Sequence, residues 1–466
     1  MTSTAVRAER RARAGFVVLG SIEFLTVMDA SVVNIALPVL QEDLGLRGSA
    51  VSWVVTCYLI PFAGMLLLAG RLGDVLGHRR LFLAGTGLFT LASAGCALAS
   101  ESWQLLVGRA VQGAGAALVV PAALALIATL FADGPQRHRA LAILGGMGGI
   151  AAPVGLVLGG LLADIDWSWI FWVNVPLGVV VLLLARRVLP MPPRTPARLD
   201  VLGGVAATAA VALLALAVAS LADPLPVPGA WAAAGALVCA AIVVWRQRTA
   251  AEPLIPRGLL RRRSVAVGGA LFVVVGTILL ATFYVVTLYL QQVRGLSPSA
   301  ATVAYLPLPL AMFAGTQLAP RLLRRVTPRN VLGAGLVIQS LSLALWAQTS
   351  TASGSLVTAL LLPALPWAFA LGLSIVTSFV VCTNGIPASA AGAASGLATS
   401  AYQGGGAVGL ALIAALAAAT SERLGNTATA ELAGHHWALW VLAVLAVLGA
   451  LGTRALPGPP SGTVPS

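Results

Sequence analysis

Two acids and one base stand inside stretches of sequence that are otherwise hydrocarbon. Glu23 and Asp29 lie in the apolar run 15–40, and Arg109 lies in the run 103–131. The remaining acids fall in polar segments or at the ends of apolar runs. An acid at mid-membrane costs about 2.5–3.5 kcal/mol to insert, so a residue of this kind is read first as functional. Glu23 and Asp29 are six residues apart, about 9 Å along a helix and about 120° around it, too far to share a proton. Asp29 is 11 residues from the end of its run and Arg109 is six from the start of its own. At a rise of about 1.5 Å per residue, with arginine's reach added, the two charges can meet at one depth. Desolvation favours a neutral carboxyl, and a neighbouring guanidinium favours a charged one. A carboxylate that gains and loses its arginine as the protein moves would therefore link proton binding to conformation. The plainer alternative is a permanent structural ion pair. For Glu23 it is a buried acid satisfied by nearby hydroxyls.

These residues need apolar helices to hold them, and the chain supplies many. Of 466 residues 59% are hydrophobic and only 9% charged, with a mean hydropathy of +0.94. A soluble fold has no surface for that balance, whereas a bundle solvated by lipid does. Fourteen runs approach the roughly 20 residues a membrane helix requires: 15–40, 51–70, 81–100, 103–131, 140–162, 168–189, 199–222, 229–246, 264–290, 299–320, 330–349, 355–383, 391–419 and 436–455. With the N-terminus in the cytoplasm, 24 of the 28 basic residues, all arginines, fall in inner segments and only Arg47, Arg294 and Arg423 in outer ones. That asymmetry is what the positive-inside rule predicts. It accounts for the net charge of +13 without nucleic acid, and it places both termini in the cytoplasm. The two acids in the first run, and the lack of a convincing cleavage site, argue against a signal peptide.

Other chemistries are poorly served. Cys57, Cys96, Cys239 and Cys382 lie in apolar runs with no CxxC pair, and the four histidines show no metal-ligand spacing. No cofactor or metal is expected, and with no P-loop the energy source is not ATP.

The chain divides as six runs, two more, then six. The proline-bearing polar stretches 190–198 and 246–263 bracket the central two, which carry almost nothing polar and read as lipid-facing additions. Such a plan invites a search for a repeat, which in transporters places the substrate between the halves. GRLGDVLGHRR (70–80) follows the second run, and PRLLRRVTPRN (320–330) follows the tenth. Arg71/Arg321, Leu72/Leu322 and Arg79/Arg329 align, and Arg324 stands where the first copy has Asp74. Gly70, Gly73 and Gly77 suit a tight turn. The expectation is a gating loop of Gly70, Asp74, Gly77 and Arg79, with Asp74 latched to Arg324 or a helix end of the other half.

Four segments resemble one family. Residues 70–80 are similar to the GxLaDrxGrk signature of the major facilitator superfamily, through Gly70, Leu72, Asp74, Gly77, His78 and Arg79. LTVMDASVVNIALP (25–38) resembles the first-span motif of the fourteen-helix drug:proton antiporters, through Asp29, Asn34 and Pro38. RAVQGAGAAL (109–118) resembles the fourth-span motif, through Arg109, Gln112, Gly113 and Gly115. WSWIFWVNVPLG (167–178) resembles the opening of the sixth span. The fifth-span exporter motif is altered: AAPVGLVLGG (151–160) keeps Gly155, Gly159 and Gly160, but Pro153 is displaced and Leu156 replaces the second proline.

The resemblance implies an all-α integral membrane protein of the major facilitator fold. Its parts would be a cytoplasmic tail (1–14), a six-helix bundle (15–189), a linker with two extra helices (190–263), a second six-helix bundle (264–455) and a tail (456–466). It implies no enzyme, but a proton-coupled exporter of lipophilic drugs or antibiotics in a bacterial cell membrane, working by alternating access. Its partners would be a small lipophilic substrate, protons and the bilayer, with the proton gradient as energy source. A proton-coupled importer and a non-transporting membrane sensor are the alternatives. Asp29, Arg109 and Glu23 are the proton-coupling candidates. Asn34, Gln112, Tyr284, Gln291, Gln317, Asn384 and Gln403 are the candidates for the substrate cavity, which offers few charges and so suits a neutral or monocationic compound.

Overall fold

The structure is a computed structural model that describes residues 3–46, 50–131, 136, 140, 151, 154–191, 199–221, 229–383, 386, 388–425 and 428–457. All regular structure in the described residues is helical. The helices are α1 (Ser3–Asp43), α2 (Ala50–Leu76), α3 (His78–Ala97), α4 (Ser102–Leu130), α5 (Val154–Ala163), α6 (Trp169–Val188) and α7 (Val201–Ala219). They continue with α8 (Gly229–Thr249), α9 (Arg263–Val293), α10 (Pro298–Leu322), α11 (Pro328–Thr349), α12 (Val357–Thr383), α13 (Ala388–Arg423) and α14 (Ala428–Gly452).

Among the described residues, 12 helices are long and apolar enough to cross a membrane. α2 makes a thirteenth if its two parts, Ala50–Leu66 and Leu68–Leu76, which meet at 56°, form one span. α5 occupies the place of the fifth run, but residues 141–150 and Pro153 lie outside the described residues. Fourteen complete spans are thus not established, although every expected run has a helix.

Helix ends are set by local chemistry. Ser297 and Thr327 accept hydrogen bonds from the amides of Ala300 and Asn330, each with a proline next in sequence, where a missing N–H costs nothing. Asp200 caps α7 through the Gly203 amide and also accepts from Arg246 Nε at 2.8 Å. One carboxylate therefore starts α7 and ties it to the end of α8.

The first six helices pack chiefly as α4 against α2 and α3, with α1 and α6 closing around them; in the last six, α9 packs on α13 and α12 on α10 and α11. α2 and α13 meet between the two groups. The expectation that both central helices simply face lipid needs correction. α8 does present Trp231, Leu237, Val238 and Trp245 outward, but α7 packs on α2 and α13 as well as on α8. Glycines of those two helices allow that fit: Thr208 lies against Gly64 of α2, and Val211 lies beside Gly404 of α13.

At the end of the bundle where arginines are scarce, side chains bridge the two groups. Gln291 Nε2 donates to the Ile35 carbonyl at 2.7 Å, Gln292 Nε2 donates to Gln41 Oε1 at 2.8 Å, and Thr302 Oγ1 donates to the Leu156 carbonyl at 3.2 Å. The arginine-poor end is closed in this conformation. Trp103, Trp231 and Trp437 are exposed there, as suits an interfacial belt, and Trp167 is only 8% exposed. It turns inward and meets Phe171 edge-to-face, with ring centroids 6.3 Å apart, while Trp169 takes the outward position.

Close approach of backbones is what lets α4 serve as the centre of its group. A Cβ on Gly113 would collide with the Tyr58 carbonyl oxygen of α2, so only glycine permits the observed α2–α4 contact. Gly113→Val should cost about 1–3 kcal/mol through overpacking, read as a lower thermal unfolding temperature of the purified protein. A wild-type unfolding temperature would show that α2 and α4 can separate freely at this point.

Candidate functional site

The α2–α4 contact brings Arg109 against α2 and towards α1. Asp29 and Arg109 are 0% and 1% exposed, and they are in direct contact: Arg109 Nη1 donates to Asp29 Oδ2 at 2.6 Å. The other carboxylate oxygen, Oδ1, accepts from Gln112 Nε2 at 2.8 Å and from Asn174 Nδ2 at 2.6 Å. Arg109 Nε donates to the Val54 carbonyl at 3.1 Å. Its guanidinium carbon stands 4.4 Å from the centroid of the Tyr58 ring and 5.9 Å from that of Phe171. Gln112 Nε2 also donates to Ser93 Oγ at 2.9 Å, and Gln112 Oε1 accepts from Arg109 at 2.5 Å.

Five helices thus converge on one carboxylate. α1 supplies Asp29, α4 the arginine and glutamine, α6 the asparagine, α3 the serine that orients the glutamine, and α2 a carbonyl and an aromatic face. The spacing of Arg109 and Gln112, three residues apart on α4, puts both on one helix face. α5 completes the enclosure by lying directly on α1: a Cβ at Gly155 would come within 2.6 Å of the Met28 carbonyl oxygen. Charge-assisted hydrogen bonds of this kind are short and strong, and a buried pair is tolerable only when its remaining valences are met. Here Asp29 accepts three hydrogen bonds. The Asn174 side-chain oxygen is the one buried atom of these amides without a partner.

The remaining candidates fall in different places. Gln112, expected in the substrate cavity, is instead sealed at 0% exposure inside the ionic cluster. Glu23 is half-buried outside that cluster, with Oε2 unpartnered. Asn34 is half-buried and donates to the Ala30 carbonyl of its own helix at 2.8 Å. Tyr284 lies towards the arginine-poor end, where it lines a cavity with Gln41 and Gln292. Gln291 is occupied in the bridge to Ile35, Gln317 is exposed on α10, and Gln403 is half-buried on α13. Asn384 lies outside the described residues. The structure therefore does not gather the six described residues of this set into one cavity.

The 70–80 segment is not a loop. α2 runs to Leu76, α3 starts at His78, and Gly77 alone makes the turn with φ 93°, a value that favours glycine. Gly73 is needed because a Cβ there would strike the His78 ring, whereas Gly70 has open space around it. Asp74 Oδ1 lies 3.4 Å from His78 Nε2, so in this conformation its neighbour is its own turn and not Arg324, which is exposed. Arg79 donates to the Arg186 carbonyl at the end of α6, and Arg71 Nη1 stands 3.9 Å from Glu252.

Sequence reasoning missed Asn174, Ser93 and Tyr58 as members of the site. Asn174 carried a signal, being the one amide in the apolar WVNVPLG stretch. Ser93 and Tyr58 carried none that separates them from other hydroxyls in spans. Asn174→Leu would leave Oδ1 with Gln112 alone. The loss of a hydrogen bond to a charged group should lower stability by about 1.5–3 kcal/mol, measured by thermal or denaturant unfolding in detergent. Unchanged stability would mean that Asn174 is not holding the carboxylate.

With this geometry in place, the likeness to known proteins is extensive. Residues 19–410 match the Major Facilitator Superfamily. A cephamycin export protein of Amycolatopsis lactamdurans is 37% identical over 450 residues, covering 93% of this chain and 89% of the relative. A puromycin resistance protein of Streptomyces alboniger is 38% identical over 411 residues, covering 86% and 80%. Among solved structures, an auto-inhibited peptide transporter of the POT family superposes with a TM-score of 0.72 at 17% identity over 98% of this chain and 99% of its own, which bears on the fold alone. The chain belongs to the Major Facilitator Superfamily and is a multi-pass membrane transporter, not an enzyme.

Proposed function

We propose that this protein is a proton-coupled antiporter that exports lipophilic drugs or antibiotics by alternating access, with Asp29 as the proton-carrying group. The observation that carries the reading is the single carboxylate, fully enclosed among five helices and paired with Arg109. A carboxylate at 0% exposure has no path to water. Proton exchange therefore requires α1 to move relative to α4 and α6, which breaks the pair at the same moment. Protonation and helix movement become one event, the thermodynamic requirement for coupling. The names of the relatives, export and resistance proteins for chemically distinct antibiotics, support export of small molecules. In the second group of helices Phe283, Tyr305 and Trp367 pack together, which favours an apolar or aromatic substrate over a polyanion.

In this scheme two six-helix units, 15–189 and 264–455, rock about their contact, and both termini face the cytoplasm. Glu23, half-buried and unpartnered, is a second proton-binding group on α1. Asp74 leaves His78 for Arg324 when the arginine-rich end closes. An exposed contact of that kind is worth about 0–1 kcal/mol, enough to bias a conformational equilibrium that about 1.4 kcal/mol would move tenfold.

Transport should be measured in vesicles carrying an imposed pH gradient, with ethidium as the substrate. The wild-type protein should move the dye against its gradient and stop when an uncoupler is added. Asp29→Asn should insert and fold but lose proton-driven movement, and undiminished antiport would overturn the assignment. Arg109→Ala should also lose transport, with Arg109→Lys recovering part of it, because lysine supplies the charge without the planar fork.

The gate has its own test. Spin labels on Leu76 and Val326, both exposed, would report the separation of the two units at the arginine-rich end. Asp74→Asn should enrich the longer distance and lower turnover more than substrate affinity. An unchanged distance distribution together with unchanged turnover would reduce the Asp74 segment to a packing element.

A further inference from the structure

The Asn174 amide uses only one of its two ends. The side chain is 0% exposed. Its Nδ2 donates to Asp29 Oδ1 at 2.6 Å, while its own Oδ1 has no hydrogen-bond partner. Buried acceptors are almost always paired, so an orphan beside a functional carboxylate needs a reason.

The sense of each amide around Asp29 follows from its neighbours. Ser93 Oγ donates to the Phe89 carbonyl at 2.8 Å, which leaves the hydroxyl oxygen to accept from Gln112 Nε2. Arg109 holds the Gln112 oxygen. Gln112 is therefore fixed at both ends and can only donate to Asp29. Asn174 has no such restraint, because among the described residues its one side-chain hydrogen bond is the bond to Asp29. A half-turn about its last bond exchanges donor and acceptor in nearly the same space. It gives up no contact elsewhere.

A carboxylate only accepts, whereas a carboxylic acid also donates one O–H. With three hydrogen bonds arriving at Asp29, the observed arrangement suits the ionised form and offers a proton no acceptor. Arg109 has only donors, and Gln112 is locked. Asn174 can supply the acceptor by turning its oxygen to where its nitrogen stands. The turn moves the unmatched end of the amide from oxygen to nitrogen and adds no new one. Arg109 is still provided for when Asp29 is neutral, by the Val54 carbonyl, the Gln112 oxygen and the face of the Tyr58 ring.

We infer that Asn174 is a reversible amide through which the closed cluster holds Asp29 in both protonation states, donating to the carboxylate and accepting from the carboxylic acid. The proton stays on Asp29 Oδ1, and only the hydrogen bond changes sense. This role rests on the reading of Asp29 as the proton carrier and adds a step that such a carrier needs. An antiporter passes through its closed form once with the proton and once without it. Lacking an acceptor at Oδ1, the proton-loaded passage would bury an unpaired O–H.

The test is infrared difference spectroscopy on the full chain in lipid nanodiscs, with asparagine labelled by heavy carbon in its side-chain carbonyl. An amide carbonyl that gains a hydrogen bond absorbs at lower wavenumber, so acidification that protonates Asp29 should move the Asn174 band down. Asn174→Leu should remove that band from the difference between acid and alkali, and Asp29→Asn should abolish the shift. Vesicles give a second readout. Exchange of ethidium for ethidium uses only the proton-free passage, whereas efflux driven by a pH gradient needs both. Asn174→Leu should therefore slow gradient-driven efflux about tenfold more than exchange, as expected for one missing hydrogen bond in the proton-loaded passage. A merely structural loss would slow both alike. An Asn174 band identical in acid and alkali would overturn the assignment, and so would equal slowing of exchange and efflux. Either result would leave Asp29 as the proton carrier if Asp29→Asn still abolishes proton-driven efflux. Conversely, a wild-type chain that fails to drive ethidium out while its Asn174 band still follows Asp29 would remove the export reading and keep the role of the amide.

Discussion

The structure depends on one ion pair removed from water. Separating a carboxylate or a guanidinium from solvent costs several kcal/mol even after relaxation, and the pair recovers that only with good geometry and satisfied valences. At Asp29, on α1, four other helices contribute to that satisfaction: Arg109 and Gln112 from α4, Asn174 from α6, Ser93 from α3 behind Gln112, and the Val54 carbonyl of α2 behind Arg109. Breaking a buried pair by removing one partner costs about 3–5 kcal/mol. The cluster therefore holds five helices in register, and any movement that uncouples them must also supply a proton or a new partner.

Packing around the cluster follows from what it needs. Gly113 and Gly155 carry no Cβ atoms to hold α4 off α2 and α5 off α1, so these helices close around the pair, whose charged groups meet at 2.6 Å. The last six helices carry a quieter version of the same arrangement. There Gln339 of α11 donates to Ser374 of α12 at 2.8 Å, with no ion within reach, and Trp346 and Trp367 meet edge-to-face nearby. One group of helices buries an ion pair, and the other buries an uncharged amide and a pair of indoles.

The two ends of the bundle are held by different means. At the arginine-poor end, glutamine and threonine side chains reach across to backbone carbonyls and to each other. At the arginine-rich end, the segment after α8 acts as a brace. Arg71 of α2 stands near Glu252, and Leu259, in the turn before α9, packs with Val265 against Ala394 of α13. Asp200 and Arg246 hold α7 to α8 beside it. The central helices are thus connected to both groups, with α7 seated between them and α8 left to lipid.

The sequence by itself determined the class of protein, because the balance of hydrocarbon to charge admits only a lipid-solvated bundle. It determined the asymmetry of the two ends, since arginine crosses a membrane poorly. It also exposed Asp29 and Arg109, because ionisable residues in apolar runs are rare and costly. Only the tertiary structure decided what surrounds them. Gln112 reads as a cavity residue along the chain but points into the ion pair, and Asn174 joins it from 145 positions away, a contact no local pattern encodes. The turn at Gly77 showed the same limit: glycine spacing announced a sharp reversal, but only the folded helices show Asp74 beside His78. Depth in a membrane can be read from position along a run, since each residue advances a fixed rise. The direction a side chain faces depends on which helices are neighbours, and that is fixed by backbone contacts among residues far apart in sequence.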